Sequence, residues 1–195
     1  MTQSSSLYDK HGKRLYLTPS EREAFYEAAK QQPDNLRTFC HMLYFTGSRV
    51  TEALNLTADR VDVSAGEIII HSLKKRSDVP QYRAVPVPNT FFQDLHKVHN
   101  LNGSDKLWPW SRSHAWRLIK KVMYEAGIDT KLPHATCKGL RHGFGIQAAC
   151  KGVPINIIQK LLGHNKISTT ALYMDAVGEE KRQLVSRMWK KPSST

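Results

Sequence analysis

The stretch Leu161-Leu162-Gly163-His164-Asn165-Lys166-Ile167-Ser168-Thr169-Thr170-Ala171-Leu172-Tyr173 is the most informative part of this sequence. Gly163 ends an apolar segment with helical spacing, and the residues after it predict another helix, which carries Tyr173 nine positions after His164. This glycine-histidine turn suggests how a phenol is brought to a phosphate group. On its own, Tyr173 would more often be a core residue whose hydroxyl is satisfied by a hydrogen bond.

Two further motifs lie upstream, and each places an arginine shortly after a glycine: Thr46-Gly47-Ser48-Arg49 and Gly139-Leu140-Arg141-His142. The planar guanidinium group of an arginine donates two parallel hydrogen bonds to phosphate oxygens, and a lysine cannot reproduce that geometry. Both arginines also have structural alternatives. Arg49 could pair with Glu52 three positions on, and Arg141 could be a solvated cation on a helix face. Gly47 favours a turn that presents Arg49.

Together, with a lysine-rich hairpin between the two arginine motifs, the three motifs resemble the catalytic end of a tyrosine recombinase, a phage-integrase-like site-specific recombinase. The resemblance covers residues 18–189. It implies that Tyr173 is the nucleophile, which cleaves a DNA strand and holds it through a 3′-phosphotyrosine bond without metal or ATP. It also implies that Arg49 and Arg141 bind the non-bridging phosphate oxygens and that His164 hydrogen-bonds the scissile phosphate.

The lysine-rich hairpin follows a predicted strand, Glu67 to Ile70. By the resemblance, Lys74 is the general acid that protonates the leaving 5′ oxygen, and the adjacent Lys75 is the alternative for that role. Lys75 and Arg76 are otherwise expected to bind the DNA backbone, because basic side chains in such a cluster contact phosphates.

One position departs from the family pattern. The family usually has His-x-x-Arg at the second arginine, whereas here Lys138 stands three residues before Arg141. A lysine can still donate to a phosphate oxygen, but it is no base near neutral pH unless its pKa is strongly lowered. His134 is a weak substitute because its spacing differs. We expect His142 to support the DNA-binding face rather than to take part in the chemistry.

The composition favours a polyanionic partner. The 195 residues include 29 Lys and Arg against 17 Asp and Glu, which gives a net charge of +12. Each phosphate that a basic side chain neutralises releases condensed counterions, so double-stranded DNA fits this charge. Basicity alone would also suit a ribosomal or membrane-surface protein. The sequence has no apolar stretch of membrane-spanning length and no signal-peptide pattern, so we expect a cytoplasmic protein associated with the nucleoid when bound to DNA.

The cysteines and histidines predict neither a disulfide nor a metal site. The three cysteines lack C-x-x-C spacing, and the nine histidines show no H-x-x-x-H or H-E-x-x-H pair. We therefore expect no metal and no cofactor.

The hydrophobic pattern predicts a mostly α fold with a small antiparallel β-sheet (α+β), which the resemblance identifies as the tyrosine recombinase catalytic domain without its N-terminal core-binding domain. Residues 1–17 are expected to be a flexible polar lead and residues 18–190 a single domain. Helices are predicted at 18–31, 33–45, 50–56, 90–99, 113–126, 138–150, 154–162, 168–174 and 179–189, and the β-branched residues between 60 and 88 predict the sheet.

The function that the resemblance implies is site-specific DNA cleavage and rejoining by a synaptic tetramer. The last predicted helix, within residues 179–190, has an apolar stripe that could dock on a neighbouring protomer or pack on its own core. Two alternatives remain open. One is a DNA-binding relative that has lost catalysis, and the other is a type IB topoisomerase-like enzyme that relaxes one duplex.

Overall fold

A computed structural model describes residues 6–72 and 80–175 of the chain. The described residues are mostly helical and contain one three-stranded antiparallel sheet, as predicted. In chain order the elements are α1 (Pro19–Lys30), α2 (Asp34–Thr46), α3 (Val50–Ala53), β1 (Val61–Asp62), β2 (Glu67–Ser72), β3 (Gln81–Pro86), α4 (Asn89–Val98), α5 (Arg112–Glu125), α6 (Cys137–Cys150), α7 (Ile155–Leu162) and α8 (Ile167–Asp175). None of these helices is long and apolar enough to cross a membrane.

Caps and glycines set the helix ends close to where the sequence predicts them. The Thr18 hydroxyl accepts a hydrogen bond from the Glu21 amide at 3.2 Å, and the Glu21 carboxylate accepts one from the Thr18 amide at 2.8 Å. This reciprocal pair is a capping box, which starts α1. Gly47 and Gly163 end α2 and α7 in left-handed conformations, with φ of 57° and 63°. Both turns lead directly into predicted site residues.

The third helix is shorter than predicted. It was expected to reach Leu56 but ends at Ala53, because the Asn55 side-chain amide donates to the Thr51 carbonyl at 2.8 Å and the following turn tightens. An asparagine that bonds the backbone in this way competes with the helical hydrogen-bond pattern. Leu56 lies in the core nonetheless, with 2% of its surface exposed.

The sheet follows the chain order β1-β2-β3, and β2 pairs with β3 along its whole length. Ile68 and Ile70 are buried, and Ile70 lies opposite Arg83 in the register. Strand β3 contacts α7, and β2 contacts α3. The residues that connect β2 to β3 include Lys74, Lys75 and Arg76, which lie outside the described residues, as does the predicted helix within residues 179–190.

The core has two parts, and the smaller one surrounds Tyr173. Its buried members are Leu7, Ile146, Ala149, Ile158, Leu162 and Tyr173. Leu7 belongs to the segment predicted to be a flexible lead, yet only 4% of its surface is exposed, and its carbonyl accepts from the Leu15 amide at 2.8 Å. Leu7 and Leu17 therefore anchor this segment, because they fill apolar space against the helices, whereas residues 10–13 between them are exposed.

Candidate active site

One face of α6 carries most of the predicted chemistry. Lys138, Arg141, His142 and Gly145 recur at helical spacing, so their side chains lie along the same side of the helix. Arg141 and His142 are each 6% exposed, whereas Lys138 is exposed on the first turn. The face therefore runs from a solvent-facing cation into the protein interior.

Arg141 ties the two glycine turns together. Its Nη1 donates to the Gly47 carbonyl at 2.8 Å, and its Nη2 donates to the Leu162 carbonyl. Burial, together with the positive charges of Arg49 and Arg83, lowers the pKa of Arg141 to about 9. At neutral pH the guanidinium stays charged. Arg141 is therefore a buried cation and not a solvated one on a helix face.

Arg49 lies at the start of α3 and pairs with Glu52. This ion pair is the structural role that the sequence left open as the alternative to phosphate binding. Its Nη1 donates to Glu52 Oε1 at 2.7 Å, and its backbone amide donates to Glu52 Oε2 at 3.0 Å. The Arg49 side chain is nevertheless 37% exposed. The ion pair therefore orients the guanidinium while leaving part of it open to an incoming anion.

A third arginine, Arg83 on β3, was not identified from the sequence. It donates to Glu52 Oε2 at 2.6 Å, to the Leu161 carbonyl at 2.8 Å and to Ser72 Oγ at 3.0 Å. The available signal was its position two residues before the buried Val85, which puts both side chains on the same face of the strand.

The three guanidinium groups share one carboxylate, so the cluster keeps surplus positive charge. Glu52 has no exposed side-chain surface. Burial alone would raise the pKa of its carboxyl, but the hydrogen bond from Arg83 and the nearby arginine charges outweigh burial and lower it. Glu52 is ionised at neutral pH. A buried carboxylate surrounded by several cations holds them in place and leaves their remaining donors directed at an anion.

Tyr173 lies on α8 against the same face of α6. It is 1% exposed, and its Oη lies 3.0 Å from Nδ1 of His142. The approach depends on Gly145, since a Cβ at that position would lie 2.4 Å from Cε2 of the tyrosine ring. Burial raises the pKa of Tyr173 to about 12, although the charges of Arg141 and Arg49 oppose the shift. The phenol is protonated in this state.

His164 follows the Gly163 turn and lies beside Tyr173. Its Nδ1 lies 3.0 Å from the Thr170 hydroxyl, and its ring centroid is 6.0 Å from that of Tyr173. The Gln159 side chain donates to the His164 carbonyl at 3.0 Å, which fixes the turn. The imidazole is thereby oriented from the helix that carries Tyr173.

The structure brings together Arg49, Arg141, His142, His164 and Tyr173, with Lys138 at the exposed end of the helix face. His142 was expected to support the DNA-binding face, but it is buried and hydrogen-bonded to Tyr173, so its contact with DNA remains a prediction. His134 instead lies 3.3 Å from a Glu21 oxygen, beside the cap of α1. Within residues 6–72 and 80–175, no three His, Cys, Asp or Glu side chains are grouped as a metal site would require.

Comparisons with known proteins agree with this arrangement. The model of the phage integrase family matches residues 15–180. Tyrosine recombinase XerD of Pseudomonas putida is 33% identical over 185 residues, which cover 86% of this chain and 61% of that protein. A crystal structure of XerA recombinase superposes with a TM-score of 0.72 at 25% identity, over 92% of this chain and 67% of that one.

A structure of XerH site-specific recombinase, bound to a palindromic difH substrate in a post-cleavage complex, has the same fold. Its TM-score is 0.69 at 21% identity, over 97% of this chain and 58% of that one. The chain spans about half to three fifths of the length of the curated relatives it matches. On the match to its family model and its likeness to XerD, the chain belongs to the phage integrase family and is a tyrosine recombinase catalytic domain.

Proposed function

We propose that this chain cleaves and rejoins DNA strands at specific sites through a 3′-phosphotyrosine intermediate on Tyr173, without metal or ATP. The observation that supports this best is the placement of one phenol beside two arginines and a histidine. Arg49, Arg141 and His164 all lie near the Tyr173 ring or bias its ionisation. Hydrogen-bond donors preorganised around a nucleophile stabilise the charge that develops on a phosphate during attack.

The phosphate enters the cluster from the side of Arg49, whose guanidinium is partly exposed. Arg141 has five N–H groups and uses Nη1 and Nη2 for backbone carbonyls, so donor capacity remains for a non-bridging oxygen. Lys138 adds a cation at the exposed end of α6. We assign it a phosphate contact that a histidine could partly replace, because both side chains donate to the same oxygen.

Tyr173 must move or be uncovered before it attacks. At 1% exposure its Oη cannot reach a phosphate that remains outside the protein. The element that has to shift is α8, which contacts α6 and α7. We propose that DNA binding shifts α8 enough to open the phenol to the phosphate while Oη stays within hydrogen-bond reach of α6, so the buried phenol of the unbound protein is a resting state.

The remaining roles follow from the family. Lys74, or Lys75 next to it, protonates the leaving 5′ oxygen, and Arg76 binds the DNA backbone. The substrate is double-stranded DNA carrying specific recombination sites, and four protomers form the synaptic complex, with residues 179–190 docking on a neighbour. A DNA-bound relative in a post-cleavage complex supports a DNA substrate. Lys74, Lys75, Arg76 and residues 179–190 lie outside the described residues, so their roles belong to the proposal. Location at the nucleoid belongs to it as well.

Trapping the covalent adduct tests the proposal. Wild-type protein incubated in EDTA with a library of nicked suicide duplexes should form a denaturation-resistant complex, since tyrosine and cations suffice for the step. Tyr173→Phe should form none and bind DNA with nearly unchanged affinity. A strict magnesium requirement, or an adduct that persists in Tyr173→Phe, would contradict the proposal.

Two alternatives have distinct outcomes in the same assay. A DNA-binding relative without catalysis would bind the duplexes and form no adduct with any of them. A topoisomerase-like enzyme would form adducts without site preference and relax supercoiled plasmid. Enrichment of one sequence among the trapped duplexes, with strand exchange between two such sites, supports the recombinase.

A further inference from the structure

The hydroxyl of Tyr173 meets His142, a residue that the family comparison gives no chemical task. The Oη–Nδ1 distance is 3.0 Å, and the two ring centroids lie 5.8 Å apart. Building on the proposed function, we infer that His142 accepts the phenol proton when Tyr173 attacks DNA. It is then a catalytic residue, because it touches an atom that reacts.

The hydrogen bonds of this pair favour the tautomer of His142 that can accept the phenol proton. If the phenol O–H donates to Nδ1, the imidazole carries its proton on Nε2, and that N–H is the one polar group of the pair left without a protein partner among the described residues. If Nδ1 carries the proton instead, both the phenol O–H and the Nε2 lone pair lack a partner. A buried donor without an acceptor costs free energy, so the first arrangement is preferred.

The charges around the pair keep His142 able to accept a proton. Burial lowers the pKa of His142 to about 4, and the neighbouring cations Lys138 and Arg141 on the same helix lower it in the same direction. The imidazole is therefore neutral at neutral pH. On the α8 side, the residue that faces His142 is Tyr173. Arg141, Arg49 and the ring of His164 in turn lie around Tyr173.

DNA binding brings the pKa values of Tyr173 and His142 closer together, which favours proton transfer between them. Burial is the main reason why the phenol pKa is high and the imidazole pKa is low, so uncovering α8 reduces both shifts. A bound phosphate also adds negative charge, which favours the imidazolium. Lys138 holds the family's usual histidine position, and as a cation it has no lone pair to offer.

The step balances in atoms and charge. The Tyr173 O–H bond breaks as the Oη–P bond forms, and the proton moves to Nδ1 of His142 to give an imidazolium. The P–O5′ bond breaks, and the 5′ oxygen takes a proton from the hairpin lysine. In religation the 5′ hydroxyl attacks phosphorus and gives its proton back to the hairpin lysine, and the departing phenolate recovers its proton from His142.

Single-turnover cleavage of a suicide duplex separates a proton acceptor from a mere anchor. His142→Asn keeps an amide near the place of Nδ1 but has no basicity, so it preserves positioning and removes proton transfer. We expect cleavage to fall about 10²-fold or more while DNA affinity stays unchanged. Replacing the nucleophile, Tyr173→3,5-difluorotyrosine, makes the phenol more acidic and should restore most of that loss, with little effect when His142 is present.

The matched control is His41→Asn, because His41 is equally buried and its pKa is also lowered to about 4 by burial. The folded His41→Asn variant should cleave DNA at the wild-type rate. Wild-type cleavage by His142→Asn, or a loss that the acidic phenol leaves unchanged, would overturn the inference. If wild-type protein forms no adduct at all, the proposed function fails instead.

Two further measurements cover the case in which His142→Asn does not fold. His142→Gln offers a longer amide, and the same outcomes apply to it. Nitrogen NMR of the wild-type chain needs no substitution and reports the tautomer of His142 directly. A proton on Nε2 supports the inference, and a proton on Nδ1 at neutral pH would overturn it.

Discussion

At the scale of single residues, the site depends on how closely Tyr173 approaches α6. The tyrosine ring occupies the volume that any side chain at position 145 would need, since an added Cβ would lie 2.4 Å from the ring. The hydroxyl then reaches His142 at 3.0 Å. The absence of a side chain at position 145 thus sets the position of the Tyr173 ring.

The substitution Gly145→Ala should displace the ring. We expect a loss of about 1–3 kcal/mol in unfolding free energy, as is usual for overpacking, together with a lower rate of adduct formation. Urea denaturation and single-turnover cleavage measure the two effects. In a Tyr173→Ala background the same change should cost much less stability, and an equal cost in both backgrounds would show that the two residues do not couple.

At the scale of elements, arginines from two of them hold the end of α7. Arg83 from β3 donates to the Leu161 carbonyl and Arg141 from α6 to the Leu162 carbonyl. The last carbonyls of a helix carry partial negative charge and lack partners within it, so both contacts are favourable. Because Glu52 binds Arg83 and Arg49, one carboxylate links the sheet, α3 and α7.

Removing the charge of Glu52 should therefore damage stability and catalysis together. Glu52→Gln leaves three guanidinium groups close together in a buried setting, where breaking an ion pair typically costs about 3–5 kcal/mol. The exposed Glu27–Lys30 pair provides the control, because Glu27→Gln should change the denaturation midpoint very little. Similar midpoints for the two variants would contradict the role given to Glu52.

Sequence patterns predicted these elements better than the contacts between them. Local signals were sufficient for the Thr18 cap and for the turns at Gly47 and Gly163. Arg83 escaped notice because a charged residue in a short strand is usually solvent-facing, and its partner Glu52 is 31 positions away. His142 and Tyr173 are also 31 positions apart, so their bond depends on how α6 packs on α8.

At the scale of the whole molecule, several histidines are held neutral inside the fold. Burial lowers the pKa of His41 and His142 to about 4, and it lowers the pKa of His99 and His134 as well. In the unfolded chain a histidine titrates near 6.5. Between these values the unfolded state binds more protons than the folded state, so stability falls as the pH drops from about 6.5 towards 4.

Chemical denaturation at a series of pH values checks this expectation. The unfolding free energy should decline steadily from pH 7 to about pH 5.5, a window that lies above most of the range in which unfolded Asp and Glu side chains titrate. Combining His41→Asn with His142→Asn should reduce the slope of that decline, whatever the variant loses in absolute stability. A slope unchanged by the two substitutions would mean that other groups cause the pH dependence.

The net charge of +12 predicts steep salt dependence of binding to non-specific duplex. Each phosphate contact contributes a slope of about −0.9 to the logarithm of affinity against the logarithm of salt. Neutralising Lys74, Lys75 and Arg76 together should lower that slope in magnitude by about 2–3 if all three contact phosphates. A charge-matched variant lacking the exposed lysines 10, 13 and 97 is the control. Equal slopes for both variants would show that net charge matters and location does not.

Mass spectrometry of the covalent adduct identifies the side chain that is linked to DNA, which is the decisive test of Tyr173 as the nucleophile. Trypsin should release the adduct on the peptide spanning residues 167–181, in which Tyr173 is the only tyrosine among several hydroxyl side chains. We expect fragmentation to place the phosphate on Tyr173, joined to the 3′ end of the cleaved strand, and the other DNA fragment to carry a 5′ hydroxyl. A phosphate on any other side chain, or a link to a 5′ end, would contradict this role of Tyr173.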